Sequence, residues 1–300
     1  MKKYLKEEIE FENKIAKDYN HLYHNSPIEK KQIEQYVKYA ALEIKPKDKV
    51  LDLGCGAASI WYSLKKIKDI EITGLDVSPA MIKEAKKLYH KANFIIGNSE
   101  KLPFKDESFD VVLVSSVLHH LPEPDKSFKE IRRVLKPYGK LIGREPQNDQ
   151  YIKEADPYLS GAIMMLMHMV RRREKTILTH EPPIHEFHQS YNLESFIGKL
   201  GQYFVVKDVK SVWPFSSFFN KIKSATSGNL ILKTDDYLAN HKGTNFLYLA
   251  IKDGYGKTEV LSYVNTYLKR LNQNNKKPPL KFIRRLIWLT AWLDLILPKR

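Results

Sequence analysis

The sequence predicts an α/β fold, a mostly parallel sheet of seven strands with helices on both faces, and three observations predict it. The first is Val50-Leu51-Asp52-Leu53-Gly54-Cys55-Gly56-Ala57-Ala58-Ser59, an apolar run that enters a glycine turn. The second is Gly74-Leu75-Asp76-Val77-Ser78, an apolar run that ends on a carboxylate, the length of one strand–helix–strand unit after Asp52. The third is that strand-like and helix-like segments go on alternating to about residue 146, the pattern of a parallel sheet covered on both sides. Gly54 and Gly56 let the backbone approach a ligand closely. Asp76 stands where a strand-end carboxylate accepts hydrogen bonds from both hydroxyls of a ribose. The unit is therefore shaped for an adenosine-containing cofactor.

Each element has its own signal. Residues 1–45 read as two helices, the second with Ile33, Tyr36, Val37, Tyr39 and Leu42 at helical spacing. Lys45-Pro46-Lys47-Asp48 breaks that pattern. Strands are then expected at 49–53, 71–75, 93–96, 110–115 and 139–144, with helices at 57–66, 79–90 and 124–135. Ligands of such sheets sit beyond the carboxyl ends of the strands. After strand five, residues 151–173 read as a helix rich in methionine (Met164, Met165, Met167, Met169). Residues 203–212 and 245–252 supply strands six and seven, with an insertion between them. The expected organisation is a helical cap over 1–45, a catalytic domain over 46–256 and a C-terminal extension over 257–300. The catalytic domain carries a lid at about 150–192 and the insertion at about 213–243.

The glycine turn narrows the cofactor. A dinucleotide site reads G-x-G-x-x-G or A, whereas the run from Gly54 ends in Ser59. An acid immediately before the turn, Asp52, would repel a diphosphate and suits a ligand carrying an ammonium group. S-adenosylmethionine has that ammonium and a ribose for Asp76.

The motifs, taken in order, resemble the class I S-adenosylmethionine-dependent methyltransferases of the ubiquinone/menaquinone type. The resemblance rests on residues 50–59, on Gly74 to Met81, on Gly97-Asn98-Ser99-Glu100-Lys101-Leu102-Pro103-Phe104, on Phe109 to Leu121, and on Arg133 to Ile142. It implies a Rossmann-like sheet with S-adenosyl-L-methionine as cofactor. The cofactor would be held by Asp52, Gly54, Cys55 and Gly56, by Asp76, Val77 and Met81, by Asn98 and Ser99 of an adenine loop, and by Ser115. Residues 11–19 are similar to the family's N-terminal segment that closes over the cofactor, which brings in Tyr19. Two positions depart from the family pattern: Asn98 replaces an Asp, and Ala58 replaces the third glycine.

Methyl transfer to oxygen or to an acidic carbon needs a proton removed from the acceptor. His119 and His120 follow strand four, Glu145 follows strand five next to it, and a histidine titrates near working pH. One reading makes a histidine the base with Glu145 orienting it; the other makes the pair a turn cap. His180-Glu181-Pro182-Pro183-Ile184-His185-Glu186-Phe187-His188 invites a metal reading, but two prolines keep one helix from presenting the ligands. The resemblance implies instead a substrate-lining loop before a helix at 193–200, with His185 or His188 as an alternative base, and no metal is expected.

Composition sets the surroundings. Three hundred residues with 43% hydrophobic content suit one enlarged domain, and a lone cysteine, Cys55, suits a reducing cytoplasm. No signal peptide and no membrane span are expected. The net charge of +15 calls for an anionic partner: nucleic acid, a membrane surface or a phosphorylated substrate. Residues 280–297 form an apolar stretch with two tryptophans and basic flanks, suited to a helix lying at an anionic membrane surface; packing on the protein is the other reading. The reading drawn is a methyltransferase for a small or lipid-like acceptor, O-methylation slightly ahead of C-methylation, cytoplasmic or peripheral at the membrane. An RNA methyltransferase and a non-catalytic cofactor-binding scaffold are the alternatives.

Overall fold

A computed structural model describes residues 3–24, 26–146, 191–212 and 245–253. Two helices open the chain, α1 (Lys3–His24) and α2 (Pro27–Ala41). There follow β1 (Lys49–Leu53), a short α3 (Trp61–Leu64), β2 (Glu71–Asp76), α4 (Pro79–Leu88), β3 (Asn93–Ile96), β4 (Phe109–Ser115), a single 3-10 turn (Leu118–His120), α5 (Asp125–Val134) and β5 (Leu135–Pro146). The remaining described elements are α6 (Leu193–Leu200), β6 (Val205–Val212) and β7 (Asn245–Ile251).

Three of the helices start where a side chain satisfies one of the first amides. Ser26 and Ser78 cap α2 and α4, each followed by a proline whose fixed φ suits the first turn, and Asn192 caps α6. The seven strands lie in the order β3-β2-β1-β4-β5-β7-β6, and β7 runs antiparallel to both β5 and β6. The order reverses between β1 and β4, so a crevice opens beyond their carboxyl ends. Strand alternation then sorts the core. On β4, Val112 and Val114 face one layer with Phe128, Ile131 and Phe196, while Val111 and Leu113 face the other with Ile33, Tyr36 and Trp61.

Two boundaries differ from expectation. The helix expected at 57–66 is confined to Trp61–Leu64, because Gly56 (φ +50) and Ala58 (φ 62) are left-handed and cannot join a right-handed helix. The strand expected at 139–144 extends over Leu135–Pro146, paired with β4 on one side and β7 on the other. The methionine-rich segment, His185 and its cluster, most of the lid, the whole insertion, and the extension with its tryptophans lie outside the described residues.

Candidate functional site

The crevice is floored by the glycine turn. Gly54 has φ +70, and a Cβ there would lie 2.3 Å from Val117 Cγ2, so the turn and the segment after β4 pack with no room for a side chain. At Gly56 the opposite holds. A Cβ would meet only the Tyr19 ring, at 3.9 Å, which leaves a backbone cradle open beneath α1. The amides of Gly54 and Cys55 both donate to the Leu75 carbonyl, at 2.7 and 3.0 Å, tying the turn to β2. Cys55 is buried, its thiol pushed well up by burial with Asp52 and Asp76 adding to the effect, and its sulfur would be 2.9 Å from a Cβ on Gly74. It fills space.

Two acids border the cradle. Asp76, at the end of β2, accepts from the Gly56 amide (2.8 Å) and the Ser78 amide (2.9 Å), so its carboxylate is aimed before any ligand arrives. Burial raises its pKa in spite of those two amides, and the charge of Glu8 adds to the rise. Asp52 is 1% exposed and accepts from Trp61 Nε1 at 2.7 Å. Burial pushes it up to about 7, opposed by the Trp61 bond and helped by Asp76. Paired acids with raised pKa values are electrostatically prepared for a cation, and the cradle, the ribose-type acid and Asp52 together fit S-adenosylmethionine.

The other expected cofactor residues line up along the same rim. Met81 is buried against Ala57 and Ala16, and Val77 is half-buried. Asn98 Oδ1 accepts from the Glu100 amide (2.9 Å), which uses one of its two lone pairs. The hydroxyls of Ser99 and Ser115 are engaged within the protein, accepting from Ser127 Oγ and Arg144 Nε, each at 2.8 Å.

Beyond β4, Glu145 organises the turn. Its side chain is 0% exposed and takes the amides of Val117 (3.1 Å), Leu118 (2.9 Å) and His119 (3.3 Å). It also lies 2.8 Å from His119 Nδ1, which assigns the ring proton to Nδ1 and the basic lone pair to Nε2. Burial lowers the His119 pKa, and the neighbouring His120 charge lowers it further, against the pull of Glu145. His120 differs. Burial alone would lower it, but the bond to Glu8, with Glu12 and Glu145 behind, leaves its pKa raised. His120 Nδ1 is 3.0 Å from Glu8 Oε1. The structure thus brings His119, His120 and Glu145 together beside the glycine turn, with one imidazole held towards neutral and the other towards charged.

On the inner face of α1 the sequence reading named Tyr19 and missed Tyr4, Glu8, Glu12 and Asn13. Asn13 Oδ1 accepts from Ser78 Oγ (2.8 Å) and the Ala80 amide (3.2 Å), Tyr4 Oη donates to Glu100, and Glu8 meets His120. Glu12 lies one turn beyond Glu8, where burial and then Asp76 raise its pKa to about 8. A signal existed: Tyr4, Glu8, Glu12, Ala16 and Tyr19 recur at spacings of three and four, so two acids interrupt a stripe that is otherwise apolar or aromatic.

The chain is similar to known proteins in sequence and in fold. A family model described as a methyltransferase domain matches residues 51–143. A demethylmenaquinone methyltransferase of Thermotoga maritima is 34% identical over 154 residues, covering 47% of this chain and 67% of that protein. A ubiquinone/menaquinone biosynthesis C-methyltransferase of Rickettsia massiliae is 34% identical over 128 residues, covering 38% of this chain and 52% of that one. The chain thus spans about half the length of that second relative. Among solved structures, a protein described as an S-adenosylmethionine-dependent methyltransferase and possible histamine N-methyltransferase, from Thermotoga maritima, superposes with a TM-score of 0.54 at 17% identity. The alignment covers 82% of this chain and 99% of that one, a likeness of fold alone.

Proposed function

Because the chain belongs to the class I S-adenosylmethionine-dependent methyltransferases, we propose that it methylates a small, lipid-like aromatic acceptor bearing a ring hydroxyl, of the quinol type. When bound, S-adenosylmethionine would supply an electrophilic methyl group; Asp76 would hold its ribose hydroxyls and Asp52 its ammonium. The chain's own contribution to chemistry is His119. With Nδ1–H held by Glu145, Nε2 accepts the proton of the acceptor hydroxyl, and the resulting phenolate is nucleophilic at oxygen and at the adjacent ring carbon. Lowering of the His119 pKa keeps the ring neutral and competent as a base at neutral pH. The names of the curated relatives, one of them a C-methyltransferase, favour the ring carbon over the oxygen preferred from the residues alone. The methylated carbon then loses its ring proton to water and the oxygen takes a proton back from His119, which restores the aromatic ring.

The observation that carries this reading is the buried His119–Glu145 pair beside the glycine turn. The experiment is to incubate the full chain with methyl-labelled S-adenosylmethionine, demethylmenaquinol and total RNA. Label is expected in the solvent-extracted quinol, on carbon. Label confined to RNA would sink the proposal and revive the reading prompted by the +15 charge. His119→Gln is expected to reduce turnover by about 10²-fold or more while cofactor affinity holds, as for loss of a general base. Equal loss of both would reduce His119 to a structural residue.

A further inference from the structure

We infer that Glu12, on the cap helix α1, is the counter-charge for the cofactor's sulfonium, so that this helix reads the charge of the cofactor as well as its shape. The inference rests on the family's cofactor and not on the acceptor proposed above.

The geometry comes from the way α1 is tied down. Asn13 holds it to the start of α4, Glu8 to His120, Tyr4 to Glu100, and Tyr19 lies over Gly56. These ties turn the face carrying Glu8 and Glu12 towards the crevice. In S-adenosylmethionine the sulfonium links the ribose to the amino-acid chain. With the ribose held at Asp76 and the ammonium at Asp52, the sulfur would lie between them along the glycine turn, which α1 covers at Tyr19. Two carboxylates face that turn from α1, and they differ. Glu8 is answered by His120 at 3.0 Å, whereas Glu12 accepts no hydrogen bond among the described residues.

Charged groups face Glu12 from three elements: Asp76 from β2, Glu8 from α1 itself and His120 from the turn after β4. Burial and the two acids outweigh the histidine, so the carboxyl keeps its proton up to about pH 8 until a cation relieves it. S-adenosylhomocysteine, the demethylated product, has nearly the same shape and a neutral sulfur. Glu12 therefore favours the methyl-bearing form and lets the spent one go.

The test measures binding of both ligands to the full chain by calorimetry, with no acceptor present, so failure of the acceptor proposal cannot move it. Glu12→Gln is expected to weaken S-adenosylmethionine about tenfold, the equivalent of one pKa unit, and S-adenosylhomocysteine by less than about twofold. Retained binding of the second ligand also reports that the variant is folded. In the wild type near neutral pH, comparison of buffers with different ionisation enthalpies is expected to show S-adenosylmethionine releasing more protons than S-adenosylhomocysteine, by about half a proton. Should the variant not fold, this wild-type difference decides alone. Equal weakening of both ligands, or equal proton release, overturns the inference.

Discussion

At Glu12 the folded protein keeps a proton that its unfolded chain would release. The folded pKa is about 8 against an ordinary 4.5, so the native state binds more protons throughout that interval. The stability associated with this group is complete below pH 4.5 and is lost as pH rises towards about 8. Asp52, raised from 3.8 to about 7, has the same sign. Glu12→Gln should accordingly raise the melting temperature of the cofactor-free protein at alkaline pH, by roughly 2–4 °C for each kcal/mol recovered, and leave it unchanged in mild acid. A gain of equal size at both pH values would show that the carboxyl's charge is not the cause. Ala58 is another residue under local tension. It holds φ 62, a left-handed conformation costing an L residue roughly 1–2 kcal/mol.

Among the elements, α1 carries most of what was not foreseen. Asn13→Ala removes the acceptor of two hydrogen bonds, each worth about 1 kcal/mol, that dock α1 on α4. Both S-adenosylmethionine and S-adenosylhomocysteine should then bind more weakly by the same factor, since a loosened cap helix loses shape contacts without regard to charge. Binding constants for the two ligands check this, and a changed ratio would mean that α1 does not act as a rigid element. The strands and α4 were legible because their cues are local: continuous apolar runs in β1 and β4, and a serine cap followed by proline at α4. Asp76 and the glycine turn were legible for the same reason. The pairings of Glu8 with His120 and of Asn13 with Ser78 were not, because they join residues 112 and 65 positions apart, and no local pattern encodes that approach. The short α3 was missed for a different reason. Left-handed backbone at an alanine has no side-chain signature.

For the molecule as a whole, the charge of +15 and the apolar, tryptophan-bearing stretch 280–297 motivate a reversible attachment to anionic lipid. Among the described residues no helix is long and apolar enough to cross a membrane. The full chain should co-sediment with vesicles containing phosphatidylglycerol and not with phosphatidylcholine alone. Binding should weaken as salt shortens the reach of the lysines and arginines, and should be lost on deletion of 280–297. Salt-insensitive sedimentation, or binding that survives the deletion, would move the attachment elsewhere. The bond between Trp61 and Asp52 has a practical consequence. The chain has four tryptophans, and Trp61 is the one among the described residues. Its ring is stacked on Phe94 with centroids 4.5 Å apart, and its N–H donates to a carboxylate that changes charge near neutrality. An indole in that position emits differently when its acceptor gains or loses a proton, so the protein carries an optical gauge of its own cofactor site, readable without a label.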